Sequence, residues 1–246
     1  MKIGLHPVYI LHYRPYRETS MLLDIFSRDH GRTGLVAKGA KQKRNSTSLL
    51  LQPYQRLSMS WSGTGDLVTL NKVEADRPTR ILEGERLISA FYINELVIRL
   101  LHKHEAHPEL FGIYDTTLDD LVAREIEHQV VIRIFEKRLL QALGYGLILD
   151  HEVDTGAHID VDKDYYYQAE RGPVTSLPIG NDYVKISGTT LRSLAQGNLV
   201  GKNVQDESKK LMRYVLQKHL GQKPLASRAL YASYIEISKN RVAHFS

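Results

Sequence analysis

Lys38, Lys41, Lys43 and Arg44 place four cations within seven residues, set around Gly39, where the backbone turns at little steric cost. Lysine and arginine at this density suit one task above others, the neutralisation of phosphate. Between Asp29 and Asp66 the chain carries no acidic residue, and Arg32 and Arg56 add to the positive charge of that window. A solvated hairpin tip has the same composition, so the surrounding sequence must separate the two readings.

Other chemistry is poorly supported. No Walker-type phosphate loop, G-x-S-x-G elbow or H-E-x-x-H helix occurs. His104-Glu105-Ala106-His107 is one residue short of the zinc-protease spacing, and with His102 it precedes Pro108, which reads as a polar turn between helices. Asp160–Asp164 opens like a calcium loop, but Tyr165 stands where the glycine belongs and Arg171 where the bidentate glutamate belongs. With no cysteine, the chain has no disulfide, thiolate nucleophile or cysteine-ligated zinc. The expectation is a protein that is not an enzyme and holds neither cofactor nor metal.

Charge is unevenly distributed over the 246 residues. Residues 1–80 carry 13 Lys and Arg against 6 Asp and Glu, and residues 200–246 carry 9 against 3. Residues 81–150 and 151–199 are instead net negative, at −5 and −3. Two basic ends around an acidic middle point to a polyanionic partner for the ends. No run approaches the roughly 18 apolar residues of a membrane span, and the N-terminus has no long apolar core, so an intracellular protein with no membrane partner is expected.

The elements that position the basic loop read as β. Val8–Leu11, stopped by Arg14-Pro15, is followed by Thr19–Ser27, Thr33–Ala37, Leu49–Trp61 and Asp66–Val73, with a turn at Ser62-Gly63-Thr64-Gly65. Five short strands in eighty residues predict a small barrel of the OB or SH3-like kind, and OB-folds recur on single-stranded nucleic acid. Trp61 reads as core; Tyr13 and Tyr16, flanked by Arg14 and Arg17, fit core and base-stacking roles equally well. After Arg77-Pro78 the periodicity becomes helical: Ile93, Leu96, Val97, Leu100 and Leu101 share a face, Pro108 opens a second helix, and Val131–Leu143 form a third, ended by Gly144. Residues 150–186 read as an irregular insertion, with a hairpin through Tyr165–Ala169 and Val174–Leu177. Helix returns at Ser187–Ala195, and basic helices fill about 200–246, with Lys209, Lys210 and Arg213 between their apolar positions. The fold class is α+β: an OB-fold barrel over 1–80, then a mainly α-helical domain over 81–246.

Arg14-Pro15-Tyr16-Arg17-Glu18-Thr19-Ser20, Gly31-Arg32 with Leu35–Ala40, and Leu51-Gln52-Pro53-Tyr54 resemble the N-terminal domain of the RecO family of bacterial DNA repair proteins. Tyr92–Leu96, Leu110-Phe111, the segment from Phe135-Glu136 to Gly146, and Lys223-Pro224-Leu225 through Arg228 continue the resemblance in the family's order along the whole chain. It implies an OB-fold followed by a helical domain. It also implies a cytoplasmic, nucleoid-associated recombination mediator that binds single- and double-stranded DNA, anneals complementary strands, and helps load the RecA recombinase onto DNA coated by single-strand-binding protein. Implied partners are RecR, possibly RecF, and the acidic C-terminal tail of single-strand-binding protein. Arg133 matches the family's tail-binding arginine, beside apolar Val130 and Ile134; from spacing alone it reads as an exposed helix charge. Candidate DNA contacts are Arg14, Arg17, Arg32, Lys38, Lys41, Lys43, Arg44, Lys209, Lys210 and Arg213. Many members bind zinc through four cysteines in the region matching 150–186; without them, this segment must be packed by residues such as Tyr165, Tyr166 and Tyr167, or be mobile. Two rivals remain open: an adaptor for acidic peptides that binds nucleic acid incidentally, and an RNA-binding OB protein.

Overall fold

Alternating apolar residues build the first five strands into a closed barrel in the order β1-β2-β3-β5-β4, in a computed structural model that describes residues 2–41 and 46–243. The strands are β1 (Lys2–Tyr16), β2 (Ser20–Ser27), β3 (Gly31–Ala37), β4 (Leu57–Ser62) and β5 (Leu67–Ala75). β3 and β5 run parallel and the other pairs antiparallel, which is the OB arrangement. Val8, Ile10, Leu23, Ile25, Leu35, Met59, Trp61 and Val68 fill the interior, as a strand period of two dictates.

Two expectations of strand length need correction. Arg14-Pro15 does not stop β1, which pairs with β2 as far as Tyr16 opposite Ser20. Its ladder to β4 reaches only from Lys2 to Val8, so Pro15 lies where one side of β1 has no strand partner and a missing N–H is tolerated. Leu49–Trp61 is not one strand: Ser46–Leu50 form a short helix, α1, and Tyr54, at φ 64°, turns the chain before β4 starts at Leu57. Leu51 then plugs the barrel core.

Contacts divide the chain into two compact units, Met1–Arg124 with Leu225–Ser246, and Glu125–Pro224. In the first, α2 (Gly84–Leu100) and α3 (Pro108–Ala123) accompany the barrel, with proline in the first turn of α3. Tyr9 and Phe26 alternate away from the barrel interior, yet both are buried, ringed by Phe111 and Tyr114 of α3. The unbroken apolar run Val8–Leu11 is thus the mark of a strand covered on both faces. The Asn94 amide donates to the Leu11 carbonyl at 2.8 Å and accepts from Tyr114 Oη at 2.5 Å.

The C-terminal helix α7 (Ala226–Ala243) joins this unit through Glu95, whose carboxylate accepts from Ala226 N at 2.8 Å, Ser227 N at 2.9 Å and Ser227 Oγ at 2.6 Å. An acceptor at a helix N-terminus satisfies orphan donors and meets the positive dipole end. Burial alone would raise the Glu95 carboxyl pKa, but these bonds hold it below its ordinary range. Glu95→Ala is expected to lower stability by about 1–2 kcal/mol, the scale of a lost helix cap, in denaturant titrations.

The second unit holds α4 (His128–Ala142), a three-stranded sheet ordered β7-β6-β8, then α5 (Gly188–Gln196) and α6 (Lys202–Leu220). β6 (Asp164–Gln168) pairs in a hairpin with β7 (Gly172–Val174), which starts at the glycine expected in the turn and ends where the expected strand Val174–Leu177 begins; β8 (Val184–Ser187), expected as loop, adds to the other edge of β6. Four residues beside Pro178 and Gly180 are too short a run to reveal a strand by periodicity. Tyr165 and Tyr167 are buried on one face of β6, and the Tyr166 ring meets Tyr183 edge-on at 5.2 Å. Packing therefore holds the segment. Among the described residues no helix is long and apolar enough to cross a membrane.

Candidate nucleic-acid interface

The strand register gathers the basic residues. Arg14 lies opposite Leu22, and Leu22 opposite Val36, so the β1–β2 turn sits beside the end of β3. The chain leaving β3 turns at Gly39, φ 69°, and Lys41 is tied back by its N–H to the Thr19 carbonyl at 2.9 Å and by Nζ to the Arg17 carbonyl at 3.3 Å. Arg14, Arg17, Lys38 and Lys41 thereby share one end of the barrel, all exposed. Glu18 is exposed in the same turn. Arg17 adopts φ 52°, a left-handed conformation that costs a non-glycine residue about 1–2 kcal/mol, and its guanidinium lies 5.2 Å from the Tyr16 ring centre. Tyr13 is 40% exposed, so these two aromatics border the cations, whereas Trp61 is core. Lys43 and Arg44, which follow Lys41, lie outside the described residues.

Arg32 and Arg56 have other work. Arg32 grips Asp24 with both prongs, Nε to Oδ1 at 3.1 Å and Nη2 to Oδ2 at 2.9 Å, while Nη1 donates to the carbonyls of Ile98 and Leu101. It places a cation at the C-terminal end of α2, where Arg99 of the last turn supplies another, and its side chain is 12% exposed. The candidate DNA contact at Arg32 is thus engaged inside the fold. Arg56 pairs with Asp76 and Asp115, each at 2.6 Å.

Asp115 is the centre of a network absent from the sequence reading. Its Oδ1 accepts from Tyr9 and from Arg80 Nη2, and its Oδ2 faces Arg56 at 2.6 Å and Arg77 at 3.3 Å. Burial works against the charged carboxylate, but the bonds from Tyr9 and Arg80 and the charges of Arg80 and Arg56 hold its pKa below the ordinary range. Burial and the bond to Asp115 raise that of Tyr9. No sequence signal announces partners 59 and 106 residues away.

In the second unit Lys209, Lys210 and Arg213 are exposed on α6; Lys209 and Lys210 are consecutive, and Arg213 follows them by four and three residues, one turn on. Arg133 is not an exposed charge. Its side chain is 10% exposed and pairs with the fully buried Glu136 at 2.6 Å. Val130 is buried and Ile134 half-buried. The arginine the sequence places on a helix surface is thus held in the interior by a carboxylate one turn on.

The chain matches the family model described as "Recombination protein O N terminal" over residues 1–78 and that described as "Recombination protein O C terminal" over residues 82–229. It belongs to the RecO family. A protein of Nitrosococcus oceani named DNA repair protein RecO is 46% identical over 230 residues, covering 94% of this chain and 93% of the relative. Proteins of the same name from Nitrosospira multiformis and Methylococcus capsulatus are 39% and 40% identical, each over 232 residues and 94% of this chain, covering 96% and 94% of the relatives. The zinc implied for many RecO members does not fit this chain: there is no cysteine, and no three histidines or carboxylates converge among the described residues. Glu152, buried in that segment, already accepts from Thr155 N at 2.8 Å and from Thr155 Oγ.

Proposed function

We propose that this RecO-family chain is a non-catalytic mediator that binds single- and double-stranded DNA, anneals complementary strands, and helps load RecA onto DNA coated by single-strand-binding protein. The observation that carries the reading is the division of labour among the barrel's cations. Arg32 and Arg56 are spent inside the fold, while Arg14, Arg17, Lys38 and Lys41 are exposed together at one end. Such a cluster neutralises phosphate without reading sequence, and annealing needs that neutralisation rather than bond cleavage. Tyr13 and Tyr16 offer faces for unpaired bases. The α6 cations Lys209, Lys210 and Arg213 supply further phosphate contacts, Arg133 with Val130 and Ile134 takes the acidic tail of single-strand-binding protein, and RecR, with RecF, completes the assembly in the cytoplasm.

Fluorescence anisotropy with labelled DNA, RNA and tail peptide at physiological salt tests this. The mediator binds DNA of both forms and the peptide at once, and prefers DNA to RNA of the same sequence. An adaptor keeps the peptide and loses DNA; preference for RNA overturns the reading in favour of an RNA-binding protein.

A further inference from the structure

Arg133 is more than nine-tenths buried, yet only part of its hydrogen-bonding capacity is used. Nη1 meets Glu136 at 2.6 Å, whereas Nε, shielded from solvent, has no acceptor. A guanidinium has two edges that fit a carboxylate, and the Nε side is the one left unmatched. A buried N–H without an acceptor is costly, so a ligand oxygen that reaches it relieves that cost. The same helix turn carries the Glu136 carboxyl group, completely buried and ion-paired with this guanidinium.

We propose that Glu136 is an internal competitor at this site: it orients Arg133 and partly neutralises it, so that a ligand carboxylate binds the Nε edge against the repulsion of a carboxylate already in place. This rests on the reading of Arg133 as the tail-binding arginine. Glu136 is then a positioning residue that holds affinity down and keeps the tail exchangeable. Two carboxylates sharing one guanidinium repel strongly where water is excluded, and removing the charge of one favours the other.

The test is anisotropy with a fluorescein-labelled peptide of the tail of single-strand-binding protein, on the full chain, with folding followed by circular dichroism. Glu136→Gln keeps the size and an acceptor for Nη1 but loses the charge, and is expected to tighten the peptide about tenfold, or ~1.4 kcal/mol. A purely structural role gives no tightening, so unchanged or weaker binding by the folded variant overturns the proposal. Where Glu136→Gln fails to fold, Glu136→Asp, with its carboxylate drawn back by one methylene, is expected to tighten binding about threefold, on the order of 0.7 kcal/mol; equal or weaker binding overturns the proposal in the same way. The double variant Arg133→Gln with Glu136→Gln tests the underlying reading separately. It loses the peptide if Arg133 is the anchor, and its retention of wild-type affinity rejects that anchor.

Discussion

Asp115→Ala is expected to destabilise the unit that contains the barrel by about 3 kcal/mol, the low end of what breaking a buried ion pair costs. The side chain is 11% exposed and answers to Tyr9, Arg56, Arg77 and Arg80. Removing it leaves three guanidiniums crowded around one vacated point. Arg56 keeps Asp76 and Arg80 keeps Asp119, which places the loss at the lower end of the range. Urea titrations followed by far-ultraviolet circular dichroism measure it. The same network makes stability acid-sensitive. Asp115 and Glu95 titrate below their ordinary values of 3.8 and 4.5, so the folded state binds these protons less readily than the unfolded chain. Their contribution is complete above the ordinary values and fades as pH falls through the depressed ones. Unfolding midpoints should be flat from neutral pH to about 5 and fall below about 4. Asp115→Asn should make that fall shallower.

Reversing Arg14, Arg17, Lys38 and Lys41 to glutamate is the second large effect, on binding rather than folding, since all four are exposed. If these four, with Lys43 and Arg44, contact six phosphates, duplex affinity falls on the order of 10³-fold between 50 and 200 mM salt. Losing four contacts leaves about a tenfold fall over the same range. The reversed variant should therefore bind weakly at low salt and respond little to added salt. Arg32→Glu should behave oppositely: placed beside Asp24 and the last carbonyls of α2, a glutamate destabilises the fold before it alters any surface.

The contrast marks where sequence reasoning stops. The barrel was legible because strand alternation and turn residues are local, and so were α2, α3 and α4, whose apolar faces repeat at helical spacing. The uses of individual charges were not. Arg32, Lys38 and Arg56 look alike in an acid-free window, and only the fold brings Asp24 to the first, Asp115 to the third and neither to Lys38. Arg133 is a sharper case, since a charge every few residues along a helix reads as surface, yet Glu136 permits it to be buried. β8 escaped notice because four residues are too few to show a period, while the tyrosines expected to pack the insertion do so at Tyr165 and Tyr167.

The most direct test of the central claim is the annealing of complementary oligonucleotides coated with single-strand-binding protein, followed by fluorescence at physiological salt without added nucleotide. The account predicts that the intact chain accelerates annealing and that the variant with Arg14, Arg17, Lys38 and Lys41 reversed, folded by circular dichroism, does not. Equal annealing by that variant, or none by the intact chain, would contradict it.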